Sequence, residues 1–267
     1  MEHTMMRLLL LLTTKWILFL PLLVSLLNDN ILVHSDEKAE GYCINNDNCD
    51  GNDEAWKKWT ANEFWSELDC ETIFEEDARP IHNESTWMLL RGIYHGIVGP
   101  EQSSIAPITH ESGFGYKTRV QQNEKGRSVF ADEDIAEGEL IWYTRNTARF
   151  RTGDSYRNFL HSVDVELACD IIQWAYVQRN DAELFVSVDL DPGILINSGQ
   201  NLYKIDGTKR KKKKDVQNMG CFEEKAKVLP GGCHENYFAL RDIEKDEELL
   251  LDYGDFAIED GWESFGL

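Results

Sequence analysis

The chain has 267 residues, of which 42% are hydrophobic, and it carries a formal net charge of −21 at pH 7. A chain of this size can bury one sizeable core and still have room for a leader and a smaller region. The acidity argues against general nucleic-acid binding, which requires lysine and arginine to neutralise phosphates. It is compatible with a basic protein or peptide as the partner.

The first 35 residues differ from the rest in composition. Arg7 and Lys15 precede a predominantly apolar run of 12 residues, 16–27, and a small-residue cleavage site, VHS, follows it. The run is too short for a spanning helix of about 20 residues and has the length of a signal-peptide core. We therefore predict a signal peptide in residues 1–35. The alternatives are a signal anchor in the membrane formed by residues 8–27, and a plain folded helix. A signal peptide or an anchor would send the domain into the secretory route, to the ER, the outside or an organelle reached through it.

Six cysteines, an even number, are typical of a disulfide-bonded secreted protein. The spacings from Cys43 to Cys49 and from Cys221 to Cys233 would each close a small loop. Cys169 lies in an apolar stretch and is expected to be a buried thiol. No two cysteines have the C-x-x-C spacing of a zinc site, so we predict no metal.

Residues 36–110 are predicted to form an acidic, partly helical region. Apolar residues recur at helical spacing from about residue 53, with Asn52 or Asp53 as the expected cap. The three tryptophans between residues 56 and 65 are expected to pack onto the main domain, although they could instead mark a partner groove.

The rest of this region is predicted to contain one further helix. The acidic stretch 71–84 is expected to be irregular. A helix is expected over 85–95, capped by Ser85 or Thr86 and ended by the Gly-Pro pair at residue 99.

Residues 111–258 are predicted to form the main domain, followed by a tail at 259–267. One long helix is expected over 163–179. The expected strands are short: 116–122, 128–131, 139–142, 185–190, 239–242 and 248–251. Many short strands, few helices and long loops predict a β-rich α+β domain.

The stretch 204–220 carries a basic run of six residues, 209–214. Because a block of like charges repels itself, we expect a solvated insertion loop. A nuclear signal, a contact for acidic surfaces and a methylation target in cis are the alternatives.

Four short motifs occur in order along the main domain: GRSVFA, then WYTR, then ILINSGQN, and finally ALRDIEKDEEL followed by DYGD. Their candidate site residues are Gly126, Arg127, Ser128, Tyr143, Asn197, Ser198 and Tyr253. Together the motifs resemble the SET domain of S-adenosylmethionine-dependent protein lysine methyltransferases, over about residues 115–256. The resemblance implies short strands in small sheets with a threaded C-terminal segment, preceded here by a small helical region.

The resemblance also implies S-adenosylmethionine as the cofactor, bound by Gly126, Arg127, Ser128, Asn197 and Ser198. In the family the glycine turn brings backbone groups close to the methionine part of the cofactor, since no Cβ blocks the approach. The family's asparagine, at the position of Asn197, helps to hold the cofactor.

The catalytic residues implied by the resemblance are Tyr253, which matches the family's catalytic tyrosine, and Tyr143, which would line the channel for the target lysine. The expected partner is a protein or peptide that presents a lysine. Direct methyl transfer requires a neutral amine, its alignment with the methyl group, and oxygen dipoles around the transferred group.

The chain departs from the family pattern in two places. Ser128 replaces the second glycine of the turn. The histidine and cysteine that the family has directly after the asparagine are not reproduced after Asn197, and no cysteine follows Cys233, so a cofactor contact and the usual zinc cluster are missing. Two other functions therefore stay open: a non-catalytic SET-like binding module, and a luminal interaction protein that uses the tryptophan-rich segment 56–65.

Overall fold

The computed structural model describes residues 55–76, 79–105, 112–180, 183–199, 216–258 and 261–267. The predicted leader, the first two cysteines and the basic run lie outside these ranges. Within them, the longest helix has 15 residues, and none is long and apolar enough to cross a lipid bilayer.

The N-terminal region is more helical than predicted. A 3-10 helix (Ala55–Lys58) leads into α1 (Ala61–Glu67), α2 (Cys70–Glu76) and α3 (Glu84–Val98). The expectation of an irregular stretch over 71–84 was therefore wrong for its first half.

Helix α1 begins at a capping box. The Thr60 hydroxyl accepts a hydrogen bond from the Glu63 amide at 3.2 Å, and the Glu63 carboxylate accepts one from the Thr60 amide at 2.7 Å. These two bonds satisfy amides that have no partner within the helix. The cap predicted at Asn52 or Asp53 lies outside the described residues.

Helix α3 begins one residue earlier than predicted. The Asn83 side chain accepts a hydrogen bond from the Thr86 amide at 3.1 Å, so Asn83 is the cap rather than Ser85 or Thr86. The helix ends at Gly99, whose φ of 78° a residue with a side chain rarely adopts.

The described residues from 112 onward contain ten short strands and three α-helices, of which the sequence predicted six strands and one helix. The strands are β1 (Thr118–Asn123), β2 (Gly126–Ala131), β3 (Leu140–Tyr143), β4 (Thr147–Phe150), β5 (Tyr176–Asn180), β6 (Glu183–Asp189), β7 (Asn197–Ser198), β8 (Met219–Gly220), β9 (Asn236–Ala239) and β10 (Leu250–Leu251). The helices are α4 (Gly153–His161), α5 (Val165–Trp174) and α6 (Glu223–Ala226).

The strands form four small sheets. Three are antiparallel: β1 with β2, then β3-β9-β8, then β4-β6-β5. The fourth is the parallel pair of β7 and β10. Small sheets, few helices and a C-terminal segment beside β7 confirm the predicted SET-like α+β fold.

The helix predicted over 163–179 is wrong in its last five residues, 175–179. Helix α5 begins after the cap Asp164 and stops at Trp174, because Ala175 is extended, with a ψ of 143°. The following residues pair as β5 with β6, and this pairing buries Val177 and Gln178. Tertiary pairing has overridden a helical spacing of apolar residues.

Two apolar cores support the domain. The first joins the N-terminal helices to α4, α5 and the central strand β6, and Trp56, Trp59 and Trp65 pack against it. The second lies between β2, β3, β9 and β10. The expectation that the tryptophans pack onto the main domain is confirmed.

A disulfide between Cys70 and Cys169 joins α2 to α5, across 99 residues of sequence. Cys169 is buried as expected, but the prediction of a free thiol was wrong. The predicted pairing of Cys221 with Cys233 is confirmed.

We expect the double substitution of Cys70 and Cys169 by serine to lower the free energy of unfolding by about 3–5 kcal/mol, because the cross-link restricts a long loop in the unfolded chain. Urea unfolding at neutral pH measures the change. The double substitution of Cys221 and Cys233 is the control. It should lower the unfolding free energy by less, because the Cys221–Cys233 disulfide closes a loop of only 12 residues. Equal losses for the two pairs would contradict this ranking.

Candidate active site

The candidate site forms where β10 lies parallel to β7, with Leu250 opposite Asn197. Asn218, which is buried, fixes this crossing with both ends of its amide. Its side-chain oxygen accepts from the Leu250 amide and its nitrogen donates to the Glu248 carbonyl, each at 2.8 Å. These bonds hold the C-terminal segment against Asn218, and the pairing of Leu250 with Asn197 and of Leu251 with Ser198 gives its register on β7.

Tyr253 follows this crossing directly. The Asp252 carboxylate caps the next turn by accepting from the Gly254 amide at 3.0 Å. The Tyr253 hydroxyl donates to the Ile196 carbonyl at 2.8 Å, which holds it one residue before Asn197. The residue is 42% exposed, and its hydroxyl is bonded to the backbone of the preceding segment. Burial and the charge of Asp189 raise the pKa of Tyr253 to about 12, so the hydroxyl keeps its proton at neutral pH.

The side chain of Asn197 connects the other predicted cofactor residues. Its amide nitrogen donates to the Ser128 hydroxyl at 2.7 Å and to the Glu248 carboxylate at 3.0 Å, and the Arg127 carbonyl lies at 3.3 Å. Burial tends to raise the pKa of Glu248, but hydrogen bonds from Lys125 and Asn197 outweigh it and lower that pKa. Glu248 is therefore a carboxylate at neutral pH.

The turn from β1 to β2 requires glycine at its first position and tolerates serine at its third. Gly126 has a φ of +96°, and nothing lies within 4 Å of the place where its Cβ would be. Ser128 is fully buried, and its hydroxyl faces Asn197. Ser198 is exposed, and the structure does not bring its side chain to the cavity described below.

The side chain of Arg127 enters a buried ionic network. Its guanidinium binds both oxygens of Asp170, at 2.9 and 2.7 Å, and lies 4.9 Å from the ring centre of Trp174. Asp170 also accepts from His82 at 2.7 Å and from Arg79 at 3.1 Å. Burial tends to raise the pKa of Asp170, but these hydrogen bonds and the arginine charges outweigh it, so that its pKa is lowered.

A cavity of about 570 Å³ lies beside the β7–β10 crossing, and most of the residues described above line it. Gly126, Asn197 and Tyr253 all line it. Two further sets of side chains form its wall. One set is Phe74, Arg79, Arg127 and Trp174, and the other is Tyr176, Asp189, Tyr253 and Phe256.

Tyr143 does not line this cavity. The β3–β9 register shifts between Leu140 and Trp142, and Trp142 is the residue of β3 that reaches the cavity. The Tyr143 ring instead lies under the guanidinium of Arg145, 5.6 Å from its carbon. A role for Tyr143 in a lysine channel receives no support from this position.

Sequence reasoning missed Asp189 and Tyr176, which both line the cavity. Asp189 ends β6 and is 4% exposed; it accepts hydrogen bonds from the Thr147 hydroxyl and, at 3.3 Å, from the Tyr176 hydroxyl. Burial raises the pKa of Asp189 to about 7. The sequence signal for Asp189 was a carboxylate at the end of a strand with alternating apolar residues. Tyr176 gave no signal, because it lay within the predicted helix.

Comparison with known proteins identifies the domain. Residues 126–254 match the SET domain family model. Together with the arrangement of small sheets around the β7–β10 crossing, this match makes that part of the chain a SET domain. No curated protein matches the chain by sequence.

Solved structures with some likeness to the chain are remote. CpSET8 from Cryptosporidium is 15% identical, with 73% of this chain and 95% of that one covered and a TM-score of 0.30. ATXR5 in complex with histone H3.1 mono-methylated on R26 is 23% identical, covering 53% and 59%, with a TM-score of 0.32. Polycomb Repressive Complex 2 of Chaetomium thermophilum, bound to GSK126, is 20% identical, with a TM-score of 0.32. The match covers 56% of this chain and 17% of that one.

The raised pKa of Asp189 predicts a pH-dependent stability. The unfolded carboxyl loses its proton near pH 4 and the folded one near pH 7, so the unfolding free energy should fall by about 1.4 kcal/mol per pH unit between them. Below pH 4 the contribution is fully present, and above pH 7 it is lost.

Asp189→Asn should remove this slope, because the amide does not titrate. Urea unfolding of the wild type and the variant at pH 5 and pH 8 measures the difference between their unfolding free energies. The other carboxylates contribute equally to both proteins, so their effect cancels in this difference. The wild type should lose stability relative to the variant as the pH rises. A difference that stays constant between the two pH values would contradict the assignment.

Proposed function

We propose that the domain transfers a methyl group from S-adenosylmethionine to a lysine of a protein substrate. One observation carries the proposal. A single cavity is lined by the glycine of the β1–β2 turn, by Asn197 and by Tyr253, whose hydroxyl is held against the Ile196 carbonyl at 2.8 Å. These are the residues that the SET resemblance assigns to the cofactor and to catalysis.

The side chains of the cavity fit such a cofactor. A volume of about 570 Å³ lies within the range of about 300–1,000 Å³ typical of small-molecule sites. Arg79, which pairs with Asp170, and Lys125, which pairs with Glu248, bring positive charge to the wall for a carboxylate. Trp174 and Phe74 supply rings for a flat base. Gly126 would let its backbone approach the cofactor closely.

When bound, the cofactor would supply an electrophilic methyl group on a sulfonium. The protein's contribution is positioning. The Tyr253 hydroxyl donates a hydrogen bond to the Ile196 carbonyl, which leaves its oxygen able to accept one from the lysine amine. Trp142, Tyr176 and Phe256 exclude water from the cavity wall, and low solvation favours the neutral amine that the reaction requires.

A non-catalytic SET-like module is the second candidate, and one observation favours it. The amide of Asn197 is already bonded to Ser128 and Glu248, so a cofactor has to compete with an internal network. Ser128 also adds a side chain at a position where the family has glycine.

We also propose that the protein works in the secretory route, either secreted or anchored by residues 8–27. The leader composition and the two disulfides of the described region support this, because disulfides persist in oxidising compartments. N-terminal sequencing of the mature protein separates a cleaved leader from an anchor. The acidity of the chain supports a basic protein as the substrate.

Calorimetric titration of the disulfide-intact chain with S-adenosylmethionine tests the cofactor. We expect micromolar binding, about −8 kcal/mol. Asn197→Ala should weaken it at least tenfold because a lining amide is lost. Ser198→Ala is the matched control. Ser198 follows Asn197 directly, but its side chain is exposed and lies outside the cavity, so this variant should bind the cofactor like the wild type. A folded wild type that does not bind would favour the non-catalytic module.

Tyr253→Phe tests catalysis separately from binding. Removing the hydroxyl should reduce transfer of labelled methyl groups to a panel of basic proteins by about 100-fold or more. Cofactor affinity should stay within about twofold, because only one oxygen is lost from the wall. A variant that transfers at the wild-type rate would remove Tyr253 from the mechanism.

A further inference from the structure

Asp189 is a buried carboxyl at a cavity wall. It is the last residue of β6, the central strand of its sheet, and its backbone is opposite Thr147 of β4 in the antiparallel pairing. The side chain is 4% exposed and lines the same cavity as Tyr253. The proposed cofactor contacts do not use it.

The partners of Asp189 are neutral. Its first oxygen accepts from the Thr147 hydroxyl, and its second accepts from the Tyr176 hydroxyl at 3.3 Å. No cationic side chain of the described residues lies within 4 Å of it. Arg149 influences it from further away but is paired with Glu235 at 2.9 Å. A buried carboxylate without a counter-ion is unfavourable, so a cation that enters the cavity would be stabilised there.

The surroundings select the kind of cation. The Tyr176 ring packs against Phe256 with centroids 4.8 Å apart, and the Tyr253 ring lies 5.7 Å from Phe256. Aromatic faces and one carboxyl suit an ammonium on an aliphatic stem, because the rings favour both the stem and the charge. A guanidinium would require a second acceptor in the same plane.

We propose that Asp189 receives the ε-ammonium group of the substrate lysine and accepts its proton. The inference rests on the proposed function, since it assigns the substrate end of that site. One N–H bond of the ammonium breaks, its electron pair stays on nitrogen, and the proton forms an O–H bond on the carboxylate. The products are a neutral amine and a neutral carboxylic acid, so no charge is left unpaired in the cavity.

The electrostatics of the cluster agree with this role. Burial raises the pKa of Asp189 to about 7, which places the group near the working pH of a general base. The other titratable or charged groups that interact with it are Asp191, Tyr176, Tyr237, Tyr253 and Arg149. The tyrosines have raised pKa values and stay neutral, and Asp191 is occupied as an acceptor for Asn146 and the Gly113 and Gly193 amides.

Binding of n-butylammonium, the cation of a lysine side chain, tests the inference without knowledge of the substrate. Its neutral counterpart is 1-butanol. NMR titrations of the full, disulfide-intact chain follow the indole signal of Trp142, assigned with Trp142→Phe. At pH 8 we expect the wild type to bind n-butylammonium at least tenfold more tightly than 1-butanol.

Asp189→Asn should abolish that preference while 1-butanol still binds. Asp255→Asn is the matched control, because it removes an exposed carboxylate two residues after Tyr253 and should leave the preference intact. A wild type without the preference, or an Asp189→Asn protein that keeps it, would overturn the proposal.

A second measurement does not depend on the folding of a variant. The probe stays protonated from pH 5.5 to 8, whereas Asp189 ionises in this range. The wild-type preference should therefore rise at least fivefold with pH, and a preference that does not change would overturn the proposal. S-adenosylmethionine binding is measured separately, so a lost methyltransferase function and a lost ammonium site give different results.

Discussion

The ion pair between Arg127 and Asp170 connects three parts of the molecule. Arg127 follows the glycine of the β1–β2 turn, Asp170 lies on α5, and Arg79 and His82 reach the same carboxylate from the segment between α2 and α3. Because Asp170 is fully buried and pairs with both arginines, removing its carboxylate would leave two guanidinium groups without their counter-ion. The position of the proposed cofactor turn thus depends on helices that precede the SET motifs.

The disulfide reinforces the same junction. Cys169 is the neighbour of Asp170, and its partner Cys70 opens the helix that carries Phe74 to the cavity wall. A covalent bond and an ionic network on consecutive residues hold one helix against another. The N-terminal helices are therefore part of the site rather than an appendage, although the resemblance begins only near residue 115.

The sequence predicted the parts of the site that depend on local pattern or on family motifs. The β1–β2 turn at Gly126, the closeness of Asn197 and Tyr253, and the loop closed by Cys221 and Cys233 follow from neighbouring residues or from the SET resemblance. The packing of the N-terminal tryptophans against the main domain was likewise expected from their apolar surface.

Features that depend on tertiary packing escaped prediction. A register shift in β3 directs Trp142 to the cavity instead of Tyr143, and no sequence pattern marks that shift. The Cys70–Cys169 bond spans 99 residues, so spacing cannot reveal it. Tyr176 lay within a helical spacing of apolar residues, and only its pairing with β6 makes it a strand residue beside Asp189.

The β7–β10 crossing has a consequence for synthesis of the protein. Asp189 and Asn197 leave the ribosome well before Leu250 and Tyr253, which complete the cavity wall. Until then, no backbone partner exists for β7 and no hydroxyl for the Ile196 carbonyl. A nascent chain can assemble much of its helical core while its proposed chemistry is still absent. The order of translation thus postpones function until the domain is almost fully made.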